Sequence, residues 1–108
     1  MILRGDLVTV ALPGEYGKPR PALVVQSDLF VKHPSVTVIP LTTDLHQAPL
    51  FRLAVEPSAA NGLRAPSQVM VDKIQTVSRS RTREVIGRLS SREMLAIERA
   101  MALFLGFA

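Results

Sequence analysis

Residues 18–25 read Lys18-Pro19-Arg20-Pro21-Ala22-Leu23-Val24-Val25, an arginine between two prolines followed by an apolar run that predicts a buried strand. Each proline fixes its own φ and holds the residue before it in extended geometry, so Arg20 is predicted to lie extended where a loop becomes a strand. A permanently charged guanidinium in a fixed position suits recognition of a phosphate or a carboxylate. The alternative is that the prolines only begin the strand and that Arg20 points into solvent.

The composition predicts one domain spanning residues 1–108, long enough to bury roughly two-thirds of its unfolded surface. Hydrophobic residues make up 47% of the chain, but they form neither a membrane-spanning run nor the apolar segment of a signal peptide, so we expect a soluble, cytoplasmic protein. The absence of cysteine excludes disulfides, zinc–thiolate sites and a cysteine nucleophile. His33 and His46 are the only two histidines, and we expect no metal and no cofactor.

The charge balance predicts a polyanionic partner. Thirteen Lys and Arg against nine Asp and Glu give a net charge of +4, which favours nucleic acid or an acidic protein segment. Arg79, Arg81 and Arg83 stand at every second position, and in an extended chain they would lie on one side as a rail for phosphates. A solvated loop is the alternative.

Strands are predicted from the β-branched and apolar runs at residues 7–12, 22–26, 36–44, 51–55, 67–72 with 74–78, and 85–89. Pro40 lies inside the third run and predicts an edge strand or a bulge, because proline cannot donate to a ladder. Thr42 and Thr43 follow it, and they either present their hydroxyls outward or make local turns. Residues 67–72 and 74–78 form a strand pair or one bent strand. Asp72 and Lys73 interrupt this apolar segment, so they are expected to line a surface or a cleft.

The most complete local signal is a C-terminal helix at residues 91–105. Ser90 and Glu93 have the spacing of a capping box, flanked by Leu89 and Met94 as a hydrophobic staple, and Gly106 ends the helix. Met94, Ile97, Met101 and Phe104 fall on one face, which predicts packing in the core or at a dimer contact. The order of elements predicts a mainly β fold with one helix: a small SH3-like antiparallel barrel of about six strands, closed by the C-terminal amphipathic helix.

The motif order resembles the MazF/PemK (Kid) family of toxins from bacterial type II toxin-antitoxin modules. The resemblance runs from Arg4 to Gly106. The matching segments are Arg4-Gly5-Asp6-Leu7-Val8, Arg20-Pro21-Ala22-Leu23-Val24-Val25, Pro40-Leu41-Thr42-Thr43, Val71-Asp72, Gln75-Thr76-Val77 and Ile86-Gly87-Arg88-Leu89.

This resemblance implies an SH3-like homodimer that cleaves single-stranded RNA, mRNA included, sequence-selectively and without metal. In such enzymes the ribose 2′-hydroxyl attacks the adjacent phosphate, which leaves a cyclic phosphate and a 5′-hydroxyl. Arg20 matches the catalytic arginine of the family, and Thr42 matches its catalytic threonine. A fixed cation and a hydroxyl donor suit a transition state in which negative charge builds up on phosphorus-bound oxygens.

Further residues are expected to contact the substrate: Glu15, Tyr16, Lys18, Thr43, Asp72, Lys73, Gln75, Arg79 and Arg81. Tyr16, the only tyrosine, is placed either to stack on a base or to anchor its loop. Where the family has G-x-E-Q-x-G before the arginine, this chain has Gly14-Glu15-Tyr16-Gly17-Lys18, so the resemblance carries over only the glutamate. Glu15 and Asp72 are the candidates for the general base.

The resemblance also implies a partner, an acidic, disordered MazE/PemI-like antitoxin that covers the RNA groove and the dimer seam. One alternative is a CcdB-like gyrase poison without catalysis, although such toxins end in Trp-Gly-Ile and this chain ends in Gly106-Phe107-Ala108 without any tryptophan. Another is an inactive regulator that binds only its antitoxin and operator DNA, which the presence of Arg20 and Thr42 argues against.

Overall fold

The computed structural model describes residues 1–12, 14 and 18–108, and it contains seven strands and one α-helix. The strands are β1 (Asp6–Val10), β2 (Arg20–Val24), β3 (Ser35–Thr42), β4 (Arg52–Val55), β5 (Ser67–Met70), β6 (Gln75–Ser78) and β7 (Thr82–Arg88). The helix α1 spans Ser91–Leu105, and short 3-10 helices form at Asp28–Phe30, Val71–Lys73 and Arg79–Arg81. In the described part of the chain, no helix combines the length and the hydropathy that a membrane span requires.

The strands are antiparallel and lie in the order β4-β5-β3-β2-β1-β7, with β6 also paired to β3. β5 and β6 are not a strand pair: the 3-10 helix between them bends the chain, and both strands pair with β3. The predicted edge position of β3 is wrong, because β3 pairs with β2 on one side and with β5 and β6 on the other. Pro40 is tolerated there because it falls between residues 35–38, which pair with β6, and Leu41, which pairs with β5.

The SH3-like antiparallel architecture is confirmed, but strand pairing does not close the sheet. Among the described residues, the edge strands β4 and β7 are not paired with each other. The segment after β4 packs on β7 instead, where the Arg88 amide donates to Ala60 O at 2.9 Å. The approach is so close that a Cβ on Gly87 would lie 2.3 Å from the carbonyl carbon of Asn61. A loop therefore takes the place of the final strand pair.

Apolar residues are buried on both faces of the central strands. Leu7 and Leu23 belong to one buried cluster, and their neighbours Val8 and Val24 belong to another, as the period of two in a strand requires. The first cluster includes Ile97 from α1, which thus covers one face of the sheet.

The capping signals of α1 are confirmed. Ser90 and Glu93 form both reciprocal hydrogen bonds of the capping box. At the other end Gly106 has φ +84°, its amide bonds Leu103 O, and the Phe107 amide bonds Ala102 O, which is a Schellman motif. Met94, Ile97 and Met101 pack against the core as expected, whereas Phe104 is 48% exposed, in the last turn of the helix.

Candidate functional site

Strand register brings Arg20 and Thr42 together. Arg20 is the first residue of β2 and Thr42 is the last residue of β3. Ala22 pairs with Pro40, so the antiparallel register continued by two residues places Arg20 across from Thr42 on the same face of the sheet. Both residues line a cleft of about 310 Å³, here called the central cleft. Its lining residues are Leu12, Arg20, Pro21, Pro40, Leu41, Thr42, Thr43, Asp44, Ser67 and Met70.

A local turn orients the Thr42 hydroxyl. Thr42 is half-buried, and its Oγ1 accepts a hydrogen bond from the Asp44 amide at 3.0 Å. The two interpretations of Thr42 are compatible, because a hydroxyl that accepts this bond still has its O–H to donate. Asp44 also contacts a neighbour: its Oδ2 lies 3.0 Å from His46 Nε2.

A second cleft of about 360 Å³ adjoins the central cleft and is here called the Lys73 cleft. The two share lining residues, among them Thr42 and Asp44, so they are adjacent. The second cleft brings Lys73 and Gln75 to the same surface as Thr42, together with Arg52 from β4. The sequence therefore identified Thr42, Lys73 and Gln75 but not Arg52.

A third cleft of about 400 Å³ also adjoins the central cleft and shares Pro21, Thr43 and Ser67 with it. Its polar and charged lining includes Arg64 and Glu84. These three adjoining clefts are together called the groove below.

Asp72 and Lys18 are predicted substrate contacts that are not among the lining residues of the groove. The Asp72 side chain is only 21% exposed, and its Oδ2 lies 3.6 Å from Lys73 Nζ. Its Oδ1 is buried and has no hydrogen-bond partner within residues 1–12, 14 and 18–108. It is not among the residues that line the groove. Lys18 is exposed just before Arg20 but does not line the groove either. Glu15 and Tyr16 lie outside the described residues.

Of the two alternatives for Arg79, Arg81 and Arg83, the rail required an extended chain, but residues 79–81 form a 3-10 helix and β7 begins only at Thr82. The three guanidinium groups bond backbone carbonyls instead. Arg79 Nε donates to His33 O at 2.8 Å, Arg81 Nη1 to Ala11 O at 3.3 Å, and Arg83 Nη1 to Ser80 O at 2.8 Å. These bonds give the arginines a structural role that alternation in the sequence does not indicate.

Sequence reasoning missed several polar residues of the groove: Asp44, Arg52, Arg64, Ser67 and Glu84. Arg52 was visible as a polar position in an alternating strand, but alternation only assigns a face and not the neighbours on that face. Asp44 and Ser67 stand where a strand ends or begins, and their place in the groove depends on the register between β3 and β5.

The chain resembles known proteins along nearly its whole length. Residues 3–105 match the family model of the PemK-like, MazF-like toxins of type II toxin-antitoxin systems. The chain is 47% identical over 106 residues to a probable endoribonuclease MazF from Mycolicibacterium smegmatis, covering 97% of each protein. It is 27% identical over 111 residues to the endoribonuclease MazF of Staphylococcus epidermidis, covering 98% of this chain and 92% of that protein.

A similar fold occurs in a solved structure of an endoribonuclease in complex with its cognate antitoxin from mycobacterial species. The TM-score is 0.83 at 26% sequence identity, and the match covers 100% of this chain and 98% of that one.

Proposed function

Because the chain belongs to the PemK-like, MazF-like toxins of type II toxin-antitoxin systems, we propose that it is an endoribonuclease that cleaves single-stranded RNA, mRNA included. The observation that carries this proposal is the meeting of Arg20 and Thr42 in the central cleft. A guanidinium and a hydroxyl on one wall of a polar cleft are suited to bind a phosphate and to donate to its oxygens.

In the proposed reaction the ribose 2′-oxygen attacks the adjacent phosphorus, and the bond from phosphorus to the 5′-oxygen breaks. A base takes the 2′-hydroxyl proton, the 5′-oxygen gains a proton, and the products carry a 2′,3′-cyclic phosphate and a 5′-hydroxyl. Arg20 and Thr42 stabilise the charge that develops on the phosphorus-bound oxygens. Neither role requires a metal ion. Of the two candidate bases, Asp72 has an inward-turned carboxylate, so we favour Glu15.

The rest of the groove supplies the proposed RNA contacts. Thr43 lines the central cleft beside Thr42, and Lys73 and Gln75 line the Lys73 cleft. Lysine attracts the backbone phosphates regardless of sequence, whereas the carboxamide of glutamine can read the edge of a base. Lys18 precedes the strand that carries Arg20 and is exposed, which suits a further phosphate contact.

We propose that the chain acts as a homodimer in the cytoplasm and is neutralised by a cognate acidic antitoxin. The mycobacterial endoribonuclease of similar fold was solved in complex with its cognate antitoxin. The net charge of +4 suits an acidic segment that competes for the groove. Exposed apolar side chains in the last turn of α1 and just after it, among them Leu103, Phe104 and Phe107, offer the antitoxin further contact area outside the groove.

The CcdB-like alternative is not supported, because the family match and the relatives named above are MazF-like and the latter are endoribonucleases.

The test is incubation of the purified protein with a long single-stranded RNA in EDTA, followed by mapping of the fragment ends. We expect discrete cuts with 5′-hydroxyl ends. For Arg20→Ala and for Thr42→Val, the cleavage rate should fall by about a hundredfold or more. Arg99→Ala and Thr76→Val change exposed residues outside the groove and serve as matched controls. Cutting at the wild-type rate by both site variants would refute the assignment of the catalytic pair.

A further inference from the structure

We propose that Arg52 binds a backbone phosphate of the RNA next to the scissile one, an inference that rests on the function proposed above. Arg52 belongs to neither the catalytic pair nor the residues that the sequence pointed to. Three features of Arg52 support this role: its place in the Lys73 cleft, its unpaired Nε among the described residues, and the positive charge of the neighbouring Lys73.

Register places Arg52 beside the catalytic residues. It is the first residue of β4 and pairs with Met70 of β5, which lines both the central cleft and the Lys73 cleft. Arg52 itself lines the Lys73 cleft together with Thr42 and Lys73. A strand of RNA whose scissile phosphate lies at Arg20 and Thr42 therefore passes Arg52 when it continues into the adjoining cleft.

The guanidinium of Arg52 has a buried nitrogen with no acceptor. Among the described residues, its Nε is shielded from solvent and has no hydrogen-bond partner. Other arginines are held by carbonyl or carboxylate oxygens, namely Arg4, Arg79, Arg81, Arg83 and Arg88. A buried donor left unpaired is unfavourable, and replacing it by an apolar group of similar shape is close to neutral or even stabilising. Among the described residues, the Nε of Arg52 therefore adds no hydrogen bond to the folded chain.

A phosphate would supply the missing acceptor. Arg52 has a long, flexible side chain, and a turn about its outer torsions would present Nε and a terminal nitrogen as a fork to two phosphate oxygens. The Nζ of Lys73 adds a second positive charge in the same cleft, with its own neighbour Asp72 at 3.6 Å. The cleft adjoins the central cleft, and its two cations outnumber the one carboxylate among its described lining residues, that of Asp44, which favours the RNA backbone as the ligand. An acidic protein segment is the competing occupant, and the experiment below distinguishes the two.

The experiment measures RNA binding, binding of a fluorescent poly-glutamate peptide, and thermal stability on the same variants. Arg52→Met keeps most of the aliphatic side chain and removes the guanidinium, and Arg99→Met makes the same change at an exposed position on α1. The probe is a mixed-sequence single strand with 2′-O-methyl riboses, which cannot be cut by 2′-hydroxyl attack. Its affinity is measured by fluorescence anisotropy at several salt concentrations.

We expect Arg52→Met to bind the probe about tenfold more weakly at low salt, as the loss of one charge-assisted contact predicts. The slope of log affinity against log salt should fall by about 0.7, the value for one phosphate contact on a single strand. The melting temperature should not fall, because an unpaired donor is removed. Arg52→Lys keeps the charge and should retain the slope, and Arg99→Met should match the wild type in every respect.

An unchanged slope in Arg52→Met, with the wild type binding and cutting RNA normally, would refute the role of Arg52 and leave the proposed function intact. The same unchanged slope with a lower melting temperature would assign Arg52 a structural role and also refute the inference. Weaker binding of an acidic peptide with unaltered RNA binding would make Arg52 a protein contact, against the proposal. A wild-type protein that neither binds nor cuts single-stranded RNA would refute the proposed function and this inference with it.

Discussion

The side-chain amide of Gln68 bonds both backbone polar groups of His46. The His46 amide donates to Gln68 Oε1 at 3.0 Å, and Gln68 Nε2 donates to His46 O at 2.7 Å. Gln68 is the register partner of Thr42 in the β3–β5 pair. One side chain thus ties the segment after β3, which carries Thr43 and Asp44, to the neighbouring strand.

We predict that Gln68→Leu slows RNA cleavage about tenfold without reducing the salt dependence of binding. The substitution removes both hydrogen bonds to His46 and lets the segment after Thr42 move, while no cationic group is lost. Hydrogen exchange at the His46 amide should become faster, and single-turnover cleavage should become slower. Gln47→Leu, at an exposed position in the same segment, is the control. Normal cleavage by Gln68→Leu together with fast exchange would show that this segment does not position the site.

Arg79 offers a test that separates structure from RNA binding. Its guanidinium joins the 3-10 helix before β7 to the segment around His33, so we predict that Arg79→Met lowers the free energy of unfolding by about 1 kcal/mol. If Arg79 instead bound RNA phosphates, as the sequence-based alternative has it, the opposite pattern is expected. The free energy of unfolding would be unchanged, and RNA binding would depend less steeply on salt. Urea unfolding and anisotropy titrations on the same preparation distinguish the two. Arg83→Met, which among the described residues loses bonds only to the nearby carbonyls of Ser80 and Thr82, is the matched comparison.

Gly87 lies where the segment after β4 packs on β7 in place of a strand pair. An added Cβ would lie 2.3 Å from Asn61 C and 2.4 Å from Asn61 O, so Gly87→Ala must push the segment after β4 away from β7. We predict a loss of about 1–3 kcal/mol in the free energy of unfolding, together with faster exchange of the Arg88 amide, which bonds Ala60 O.

Gly106→Ala provides the contrast for this substitution. Gly106 has open space around it but a φ of +84°, so the change there introduces backbone strain without a steric clash. Fraying confined to the end of α1 is expected. A Gly87→Ala protein as stable as the wild type would show that the loop adapts and that its packing on β7 is not required.

Local signals were sufficient for the helix and for most strands. The capping box of α1 involves Ser90 and Glu93, three residues apart, and the Schellman motif at Gly106 is equally local. The extended geometry of Arg20 follows from the prolines on either side of it. Interactions of this range can be read from the sequence because the partners are neighbours in the chain.

The groove depends on pairings that are distant in sequence. Arg20 faces Thr42 because Ala22 pairs with Pro40, and β3 is central because three other strands pair with it. Alternation assigned faces to these strands but could not specify register or partners, so Pro40 could only be assigned to an edge strand or a bulge, and Arg52 went unnoticed. The carbonyls that bind Arg79 and Arg81 belong to His33 and Ala11, which are distant in sequence, so local patterns did not indicate these bonds. Amino-acid sequence alone thus determined the local elements, the basic charge and the motif order of a toxin family. Only the tertiary structure decided which side chains share one groove, because register is set by contacts between residues far apart in the chain.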